Sequence, residues 1–161
     1  MAMQDVRVVM AHGGWADGSS WARVITGLVA HGIKAVAAPL RFAIFVGEQN
    51  VPAGIELDDL DEHSLHAVAF DEAGKAIGTG RLLPDGKIGR MAVVKDWRRR
   101  GVGADLLEAL IGEARRRGFK EVKLSAQLQA AEFYRAHGFV AEGKVYEEAG
   151  ILHQAMRKAL T

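Results

Sequence analysis

The sequence contains no cysteine among its 161 residues. Disulfides, thiolate nucleophiles and cysteine-ligated metal sites are therefore excluded, and the composition is compatible with a reducing compartment. The formal net charge is only +1, so the chain lacks the broad positive field that attracts nucleic acid. We expect neither a disulfide framework nor a nucleic-acid partner.

Long apolar runs are also missing. No uninterrupted apolar stretch reaches the length of a membrane span, and the opening MAMQDVRVVMAHGG lacks the basic region and long apolar core of a signal peptide. The expectation is a cytoplasmic protein without a membrane partner. With 49% hydrophobic and 25% charged residues, the chain has the composition of an ordinary globular protein, and its length suits one domain.

A basic, glycine-containing turn precedes an amphipathic helix in DWRRRGVGADLLEAL, residues 96–110. Gly101 and Gly103 carry no β-carbon, so backbone N–H groups there can approach a ligand closely, and the positive end of the helix favours an anion. The next apolar residues have helical spacing and predict one buried face: Leu106, Leu107, Leu110, Ile111 and Ala114. Gly118 is placed to end the helix. With three arginines before it, the turn predicts a phosphate or pyrophosphate site.

Common nucleotide and hydrolase motifs are absent. There is no Gly-x-x-x-x-Gly-Lys-Ser/Thr, and Leu106 stands where a dinucleotide fingerprint needs its third glycine. There is no Gly-x-Ser-x-Gly nucleophile elbow, and Ser19 and Ser20 are better explained as helix caps. A P-loop, a dinucleotide-binding fold and a serine hydrolase are therefore disfavoured.

The remaining pattern predicts mainly strands and short turns. The expected strands lie at 6–10, 33–37, 65–70, 76–83, 88–94, 122–126, 139–146 and 151–156, and the other expected helices at 20–31 and 130–137. The run RFAIFVGE, residues 41–48, is open between helix and strand because a short apolar run does not settle its own period. The acidic residues at 56–62 are most simply a solvated loop, although they could attract a polyamine.

The ordered motifs resemble those of the GNAT superfamily of N-acetyltransferases over roughly residues 41–160. The segments that carry the resemblance are RFAIFVGEQNVPAGIELDD, IGRMAVVKDWRRRGVG, AAEFYRAHGF and EEAGILHQAM. The resemblance implies an α/β fold with a mixed, mostly antiparallel central sheet flanked by helices, in a single domain over 1–161 with an acetyltransferase core at 41–161. It also implies acetyl transfer from acetyl-coenzyme A to a primary amine of a small molecule, peptide or protein. No metal is expected, since the histidines show no paired ligand spacing.

The resemblance implies a cofactor site formed by two segments. Backbone groups of Met91, Ala92 and Val93 would face the pantetheine arm. The loop would wrap the pyrophosphate with Arg98, Arg99, Arg100, Gly101, Val102, Gly103 and Ala104. Gln127 stands where the family often has an asparagine near the arm, but it could equally be a polar residue that ends a strand.

Acetyl transfer to an amine requires a neutral nitrogen near the thioester, a donor for the oxyanion and a proton for the thiolate. The backbone N–H near Val93 is the expected donor, and the resemblance makes Tyr134 the expected general acid, although periodicity alone makes it a core aromatic. Glu48 is a candidate base and His153 a candidate acceptor contact that could also receive the proton. Either residue could instead be solvated or packed.

The first forty residues depart from the GNAT pattern. Residues 6–40, with a His-Gly-Gly segment, are instead similar to an early strand, loop, helix and strand of an α/β-hydrolase. We interpret 1–40 as a βαβ-like segment of a natural or engineered hybrid. An extra strand at 33–37 would expose an unpaired edge and favour a homodimer. Alternatively, 33–44 would be helical and continue into the early helix of the family, although Pro39 disfavours this. The alternative function is a coenzyme A-binding scaffold with little catalysis, because the early helices of the family help to form the acceptor site.

Overall fold

Alternating short strands and two α-helices make up the described part of the chain in a computed structural model, which describes residues 7–12, 40–52, 60 and 63–161. The strands are β1 (Arg7–His12), β2 (Leu65–Phe70), β3 (Ala76–Leu82), β4 (Ile88–Val93), β5 (Glu121–Gln127), β6 (Val140–Glu148) and β7 (Ile151–Ala159). The helices are a π-helix (Phe42–Glu48), α1 (Val102–Arg116) and α2 (Ala131–Ala136), with short 3₁₀ turns at Lys95–Trp97 and Leu128–Ala130. No helix in this part of the chain is long and apolar enough to cross a membrane.

The strands form two antiparallel sheets. One has the order β1-β2-β3-β4 and the other β5-β7-β6. They meet where β4 and β5 begin, through a parallel bridge between Lys87 and Lys123. The connection from β4 to β5 runs through α1, as parallel neighbours require a crossover. The predicted α/β fold with a mixed, mostly antiparallel sheet is confirmed, and the parallel component is confined to this junction.

Helix α1 covers the first sheet with the face that its sequence predicts. All five of its predicted apolar residues are fully buried: Leu106, Leu107, Leu110, Ile111 and Ala114. Burying each large aliphatic side chain contributes about 1.5–3 kcal/mol. The helix ends as expected, because Gly118 follows the last turn with φ of 80° and its N–H donates to the Arg115 carbonyl at 2.9 Å.

Two glycines on β3 allow α1 to lie close to the sheet. A β-carbon on Gly78 would be 2.9 Å from Leu106 Cδ1, and one on Gly80 would be 2.8 Å from Leu110 Cδ1. Alternate strand residues point to opposite faces, so Gly78 and Gly80 face α1 while Thr79 and Arg81 face the other side of the sheet. This alternation determines which β3 side chains are available to a ligand.

The hairpin of β2 and β3, the strand β4 and the final pair β6 and β7 confirm the corresponding predictions, with the final pair longer than expected. The predicted strand at 6–10 is present as β1, which pairs with β2. The open segment at 41–48 is helical. The predicted helix at 20–31 and strand at 33–37 lie outside the described residues, so the βαβ-like segment, its hydrolase-like origin and the strand-mediated dimer stay predictions.

Candidate active site

A cleft opens between β4 and β5 beyond the point where the two strands meet. The Lys123 N–H donates to the Gly86 carbonyl at 3.3 Å at the closed end. Further along lies a cavity of about 310 Å³, walled by the π-helix, β3, β4, β5, α2 and the β6–β7 turn. The cavity is lined by the first four residues of β4 and by the second half of β5, on the side where the two strands diverge.

A β-bulge in β4 shapes one wall of the cleft. The pairing of β3 with β4 passes from Thr79–Ala92 to Arg81–Gly89, so Arg90 and Met91 both lie opposite Gly80. Arg90 accommodates the bulge with a left-handed backbone φ of 50°. Such bulges commonly lie beside active sites, where they redirect side chains.

The end of β4 directs backbone groups into the cleft. The Val94 N–H donates to the Ile77 carbonyl at 2.9 Å. Residues along an antiparallel strand alternate between pointing their polar groups toward and away from the partner. Val93, the preceding residue, therefore directs its N–H and carbonyl away from β3. Its carbonyl accepts a hydrogen bond from Arg98 Nε at 2.9 Å, as this orientation requires.

The loop before α1 has the backbone of an anion-binding turn. Arg99 and Gly101 both have left-handed φ angles, of 61° and 88°, and such turns cluster backbone N–H groups on one side. The Asp105 N–H bonds to the Gly101 carbonyl at 3.0 Å, whereas the preceding three N–H groups of a helix have no intrahelical acceptor. No side chain within the described ranges caps them. The helix therefore begins with donors from residues 102–104 available to an anion.

The three arginines of the loop have different surroundings. Arg98 turns back onto the protein: besides its bond to Val93, its Nη2 lies 2.5 Å from Glu48 Oε2 in the π-helix. Arg99 and Arg100 are exposed. The Arg100 guanidinium lies over the Trp97 ring, 5.3 Å from its centroid. Arg99 and Arg100 are thus at the surface beside the uncapped N–H groups. Arg98 instead connects the loop to Val93 and to Glu48.

Tyr134 lines the cavity from α2. Its residue is only 9% exposed, and edge-on contacts with Phe133 and Phe139, with centroids 5.0 and 5.8 Å away, fix its ring. Burial raises the pKa of Tyr134 to about 12 because the phenolate would lose its hydration. The phenol is therefore held in its protonated form at neutral pH.

Gln127, at the end of β5, belongs to a chain of side-chain amides. Its Nε2 donates to Gln49 Oε1 at 2.7 Å, and its Oε1 accepts from Gln129 Nε2 at 3.0 Å. Gln49 follows the π-helix, so the chain joins that helix to the end of β5 across the cavity. Gln127 thus lies in the cavity wall with both ends of its amide engaged by other side chains.

His153 lies on β7 opposite both Gln127 and Tyr146. Its Nδ1 is 2.8 Å from the Ile151 carbonyl oxygen. Since a carbonyl only accepts, Nδ1 carries the proton, and in the neutral ring Nε2 is the acceptor. Tyr146 stacks on the imidazole with centroids 5.9 Å apart and donates to Ser125 Oγ at 2.6 Å. The ring of His153 is therefore fixed in the cavity wall.

The cavity brings together four of the predicted site residues: Met91, Gln127, Tyr134 and His153. Ala92 is buried and is not among the residues that line the cavity. Glu48 is not among the described residues that line the cavity, because its carboxylate is turned to Arg98. No group of three His, Asp or Glu side chains in the described part of the chain is arranged to hold a metal ion.

The sequence analysis missed the cationic part of the wall, formed by Arg81, Lys87 and Arg90. Two glycines at alternate positions, Gly78 and Gly80, mark the face of β3 that another element approaches closely. The alternation could therefore have assigned Arg81 to the opposite face. Arg90 had no such signal, because its direction depends on the bulge.

A comparison with known protein families matches residues 42–160 to the acetyltransferase (GNAT) domain. The chain belongs to the GNAT acetyltransferase family. It is 42% identical over 123 residues to the uncharacterized N-acetyltransferase YjcF of Bacillus subtilis, which covers 74% of this chain and 87% of YjcF.

Solved structures agree with this membership. An acyl-CoA N-acyltransferase from Pseudomonas aeruginosa is 29% identical, with a TM-score of 0.77 and coverage of 96% of this chain and 100% of that one. ElaA of Escherichia coli has a TM-score of 0.77 at 24% identity, over 96% of this chain and 99% of ElaA, and shows the likeness of fold. This chain, as a member of the GNAT family, is therefore an acyltransferase.

Proposed function

We propose that this GNAT enzyme transfers the acetyl group of acetyl-coenzyme A to the primary amine of an acceptor bound in the cavity between β4 and β5. The observation that carries the proposal is that one strand, β4, both leads into the anion-binding loop and lines the cavity. The strand leads at its end into the loop of residues 98–101, here called the arginine loop, and the uncapped N–H groups that follow it. Met91 of the same strand lines the same cavity as Tyr134. An anion-binding site and a buried acid are thus adjacent to one cleft.

The loop fits a pyrophosphate in shape and in charge. A β-carbon placed on Gly101 would meet nothing within 4 Å, so open space lies over the left-handed turn. The N–H groups at 102–104 provide donors, the helix start provides a partial positive charge, and Arg99 and Arg100 provide two exposed cations. Acetyl-coenzyme A bound there supplies the acetyl group as a thioester.

Two groups beside the cleft would perform the chemistry. The Val93 N–H, directed away from β3, would donate to the thioester oxygen and stabilise the negative charge that develops on it. Tyr134, protonated because of its burial, would donate its proton to the departing thiolate. Met91 would contribute backbone contacts along the same strand, whereas Ala92, which pairs with Thr79, directs its backbone groups toward β3. Gln127 would hold the end of β5 in place through its amide chain.

His153 is the residue that we place against the acceptor. Its Nδ1 is bound to Ile151, which leaves Nε2 as the acceptor for an amine proton. The amine nitrogen must lose one proton in forming the amide bond, and Nε2 can receive it directly or through one water molecule.

The proposed activity is tested by thiol release from acetyl-coenzyme A in the presence of a panel of amines. Release above the background of hydrolysis with at least one amine, together with detection of the acetylated amine by mass spectrometry, is the expected result. Binding of coenzyme A without release for any amine would instead favour a coenzyme A-binding scaffold.

Glu48→Gln separates two roles for this carboxylate. Because Glu48 is bound to Arg98 outside the cavity, we infer that it positions the loop. The pair is about 40% exposed, so its loss should raise the KM for acetyl-coenzyme A only about threefold, with kcat and the pH profile unchanged. A general base would instead lose kcat by about 100-fold and lose the acidic limb of the profile.

A further inference from the structure

Tyr146 connects all three strands of the β5-β7-β6 sheet. It lies on β6 opposite His153 of β7, which itself lies opposite Gln127 of β5. The Tyr146 ring stacks on the imidazole, with centroids 5.9 Å apart and planes inclined by 22°. Its hydroxyl donates to Ser125 Oγ of β5 at 2.6 Å. One side chain from the edge strand therefore contacts two residues of the cavity wall, His153 and Ser125.

The small side chain of Ala155 leaves room for this crossing. Ser125 lies opposite Ala155, two residues along β5 from the residue that faces His153. To reach Ser125 from its own position opposite His153, the Tyr146 ring passes diagonally over β7, on the face from which Ala155 projects. A methyl group on that face leaves the path open, whereas a longer side chain would obstruct it.

A bulge in β6 determines that a tyrosine faces His153. The pairing of β6 with β7 passes from Glu142–Ala155 to Tyr146–His153, so β6 advances by four residues where β7 advances by two. Without the two extra residues, the register that begins at Glu142 would place Lys144 opposite His153. The bulge therefore brings an aromatic ring, instead of a lysine, to the imidazole.

Gln154 of β7 stabilises this bulge. Its residue is only 6% exposed, and its Nε2 lies 2.9 Å from the Glu142 carbonyl oxygen, 3.1 Å from that of Ala155 and 3.3 Å from that of Gly143. Gly143 has a φ of 71°, a left-handed conformation that favours glycine. The bulge thus supplies the backbone conformation and Gln154 the donor that its carbonyls require. Together they fix the part of β6 that carries Tyr146.

The hydrogen bond from Tyr146 determines what Ser125 can offer a ligand. A phenol is a stronger acid than an aliphatic alcohol, so the Tyr146 hydroxyl is the donor of this pair. A serine hydroxyl has one proton and two lone pairs. Because Tyr146 occupies one lone pair, Ser125 keeps its proton and the other lone pair for a polar group in the cavity that it lines. His153, held at Nδ1 by Ile151, lies in the same wall.

We propose that Ser125 binds the acceptor and that Tyr146 is the positioning residue for both Ser125 and His153. Tyr146 is not among the described residues that line the cavity, so it acts through the two residues that it contacts. The Ser125 hydroxyl bonds to a polar group of the acceptor beside the amine, while His153 receives the amine proton. The inference rests on the proposed acetyl transfer and adds a binding residue and a positioning residue to its acceptor site.

A double-mutant cycle tests whether Tyr146 acts through Ser125. Kinetics are measured at saturating acetyl-coenzyme A with the best amine of the thiol-release panel. Ser125→Ala and Tyr146→Phe should each raise the KM for the amine by about tenfold, the contribution of one hydrogen bond. The double variant should match Ser125→Ala, because the phenol then has no serine hydroxyl to orient. An unchanged KM in Ser125→Ala, or effects that multiply in the double variant, would contradict the proposal.

Control variants separate this effect from a general disturbance of the sheet. Ser125→Thr retains the hydroxyl and should keep the KM for the amine within about threefold of the parent. Val140→Ala removes a side chain that is 56% exposed at the other end of β6 and should leave this KM unchanged. All of β6 is exposed, so variants at Tyr146 should fold. A parallel rise in the KM for acetyl-coenzyme A would show a disturbed fold and overturn the assignment.

Nuclear magnetic resonance distinguishes this inference from the proposed activity. A proton–nitrogen correlation spectrum, assigned with His153→Gln, reports which nitrogen of His153 carries the proton at alkaline pH, where imidazoles are neutral. The parent and Tyr146→Phe, which keeps the stacked ring, should show the Nδ1–H form, and Tyr146→Leu a mixture of both tautomers. If no amine releases thiol, the proposed transfer is contradicted, while this spectrum still decides whether Tyr146 positions His153. An unchanged spectrum in Tyr146→Leu would overturn the inference.

Discussion

Replacing Arg99 and Arg100 together with alanine should weaken the binding of coenzyme A by about 100-fold, since each charged hydrogen bond to a phosphate contributes roughly a factor of ten. Both side chains are exposed beside the uncapped N–H groups at the start of α1. The backbone of the loop remains, so residual binding should persist. Isothermal titration calorimetry at two salt concentrations measures the loss, and the salt dependence of the variant should be weaker.

The matched control is Arg115→Ala with Arg116→Ala at the opposite end of the same helix. It removes the same charge from the protein, but both side chains lie in the last turn of α1. Coenzyme A affinity in this variant should stay within about twofold of the parent, because exposed charges beyond a Debye length of about 8–10 Å interact weakly. Similar losses in the two double variants would mean that the arginine loop has no specific role in binding.

Tyr134→Phe should lower kcat by about 100-fold, the contribution typical of a general acid. The affinity for coenzyme A should remain close to that of the parent, because the ring still fills the space between Phe133 and Phe139. Steady-state kinetics with direct binding measurements separate these two effects. If kcat is retained in the folded variant, the thiolate receives its proton elsewhere, and Tyr134 is a packing residue.

The raised pKa of Tyr134 makes a second measurement possible. An ordinary tyrosine ionises near pH 10, whereas this one should stay protonated until about pH 12. The proposed acid is therefore present across the whole neutral and mildly alkaline range. The chain has two tyrosines, so ultraviolet titration of Tyr146→Phe reports Tyr134 alone. A midpoint near 10 would contradict the burial that holds the phenol neutral.

The resemblance in sequence established the family of this chain but not the role of each site residue. The segment IGRMAVVKDWRRRGVG identified the family, and the family match at 42–160 agrees with it. The roles of single residues are less transferable. Glu48 and Arg98 were predicted for different tasks, catalysis and cofactor binding, yet in the fold they form one ion pair. Two residues fifty positions apart in sequence meet only when the π-helix is packed beside the end of β4.

The sequence by itself determined the local elements and the arginine loop. Helix α1 has its apolar face, its initial glycines and its terminal Gly118 within about twenty residues, so neighbouring side chains and backbone preferences suffice to specify it. The β2–β3 hairpin is local in the same way.

Only the tertiary structure decided which side chains surround the cavity between β4 and β5. The orientation of Arg90 depends on a bulge, and that of Arg81 on the register of β3, where a shift of one residue would turn each side chain to the opposite face. The contact of Gln127 with Gln49 joins residues that are 78 positions apart. Such contacts follow from the order and register of strands, which depend on the packing of the whole sheet and leave no periodic signal in the sequence around each residue.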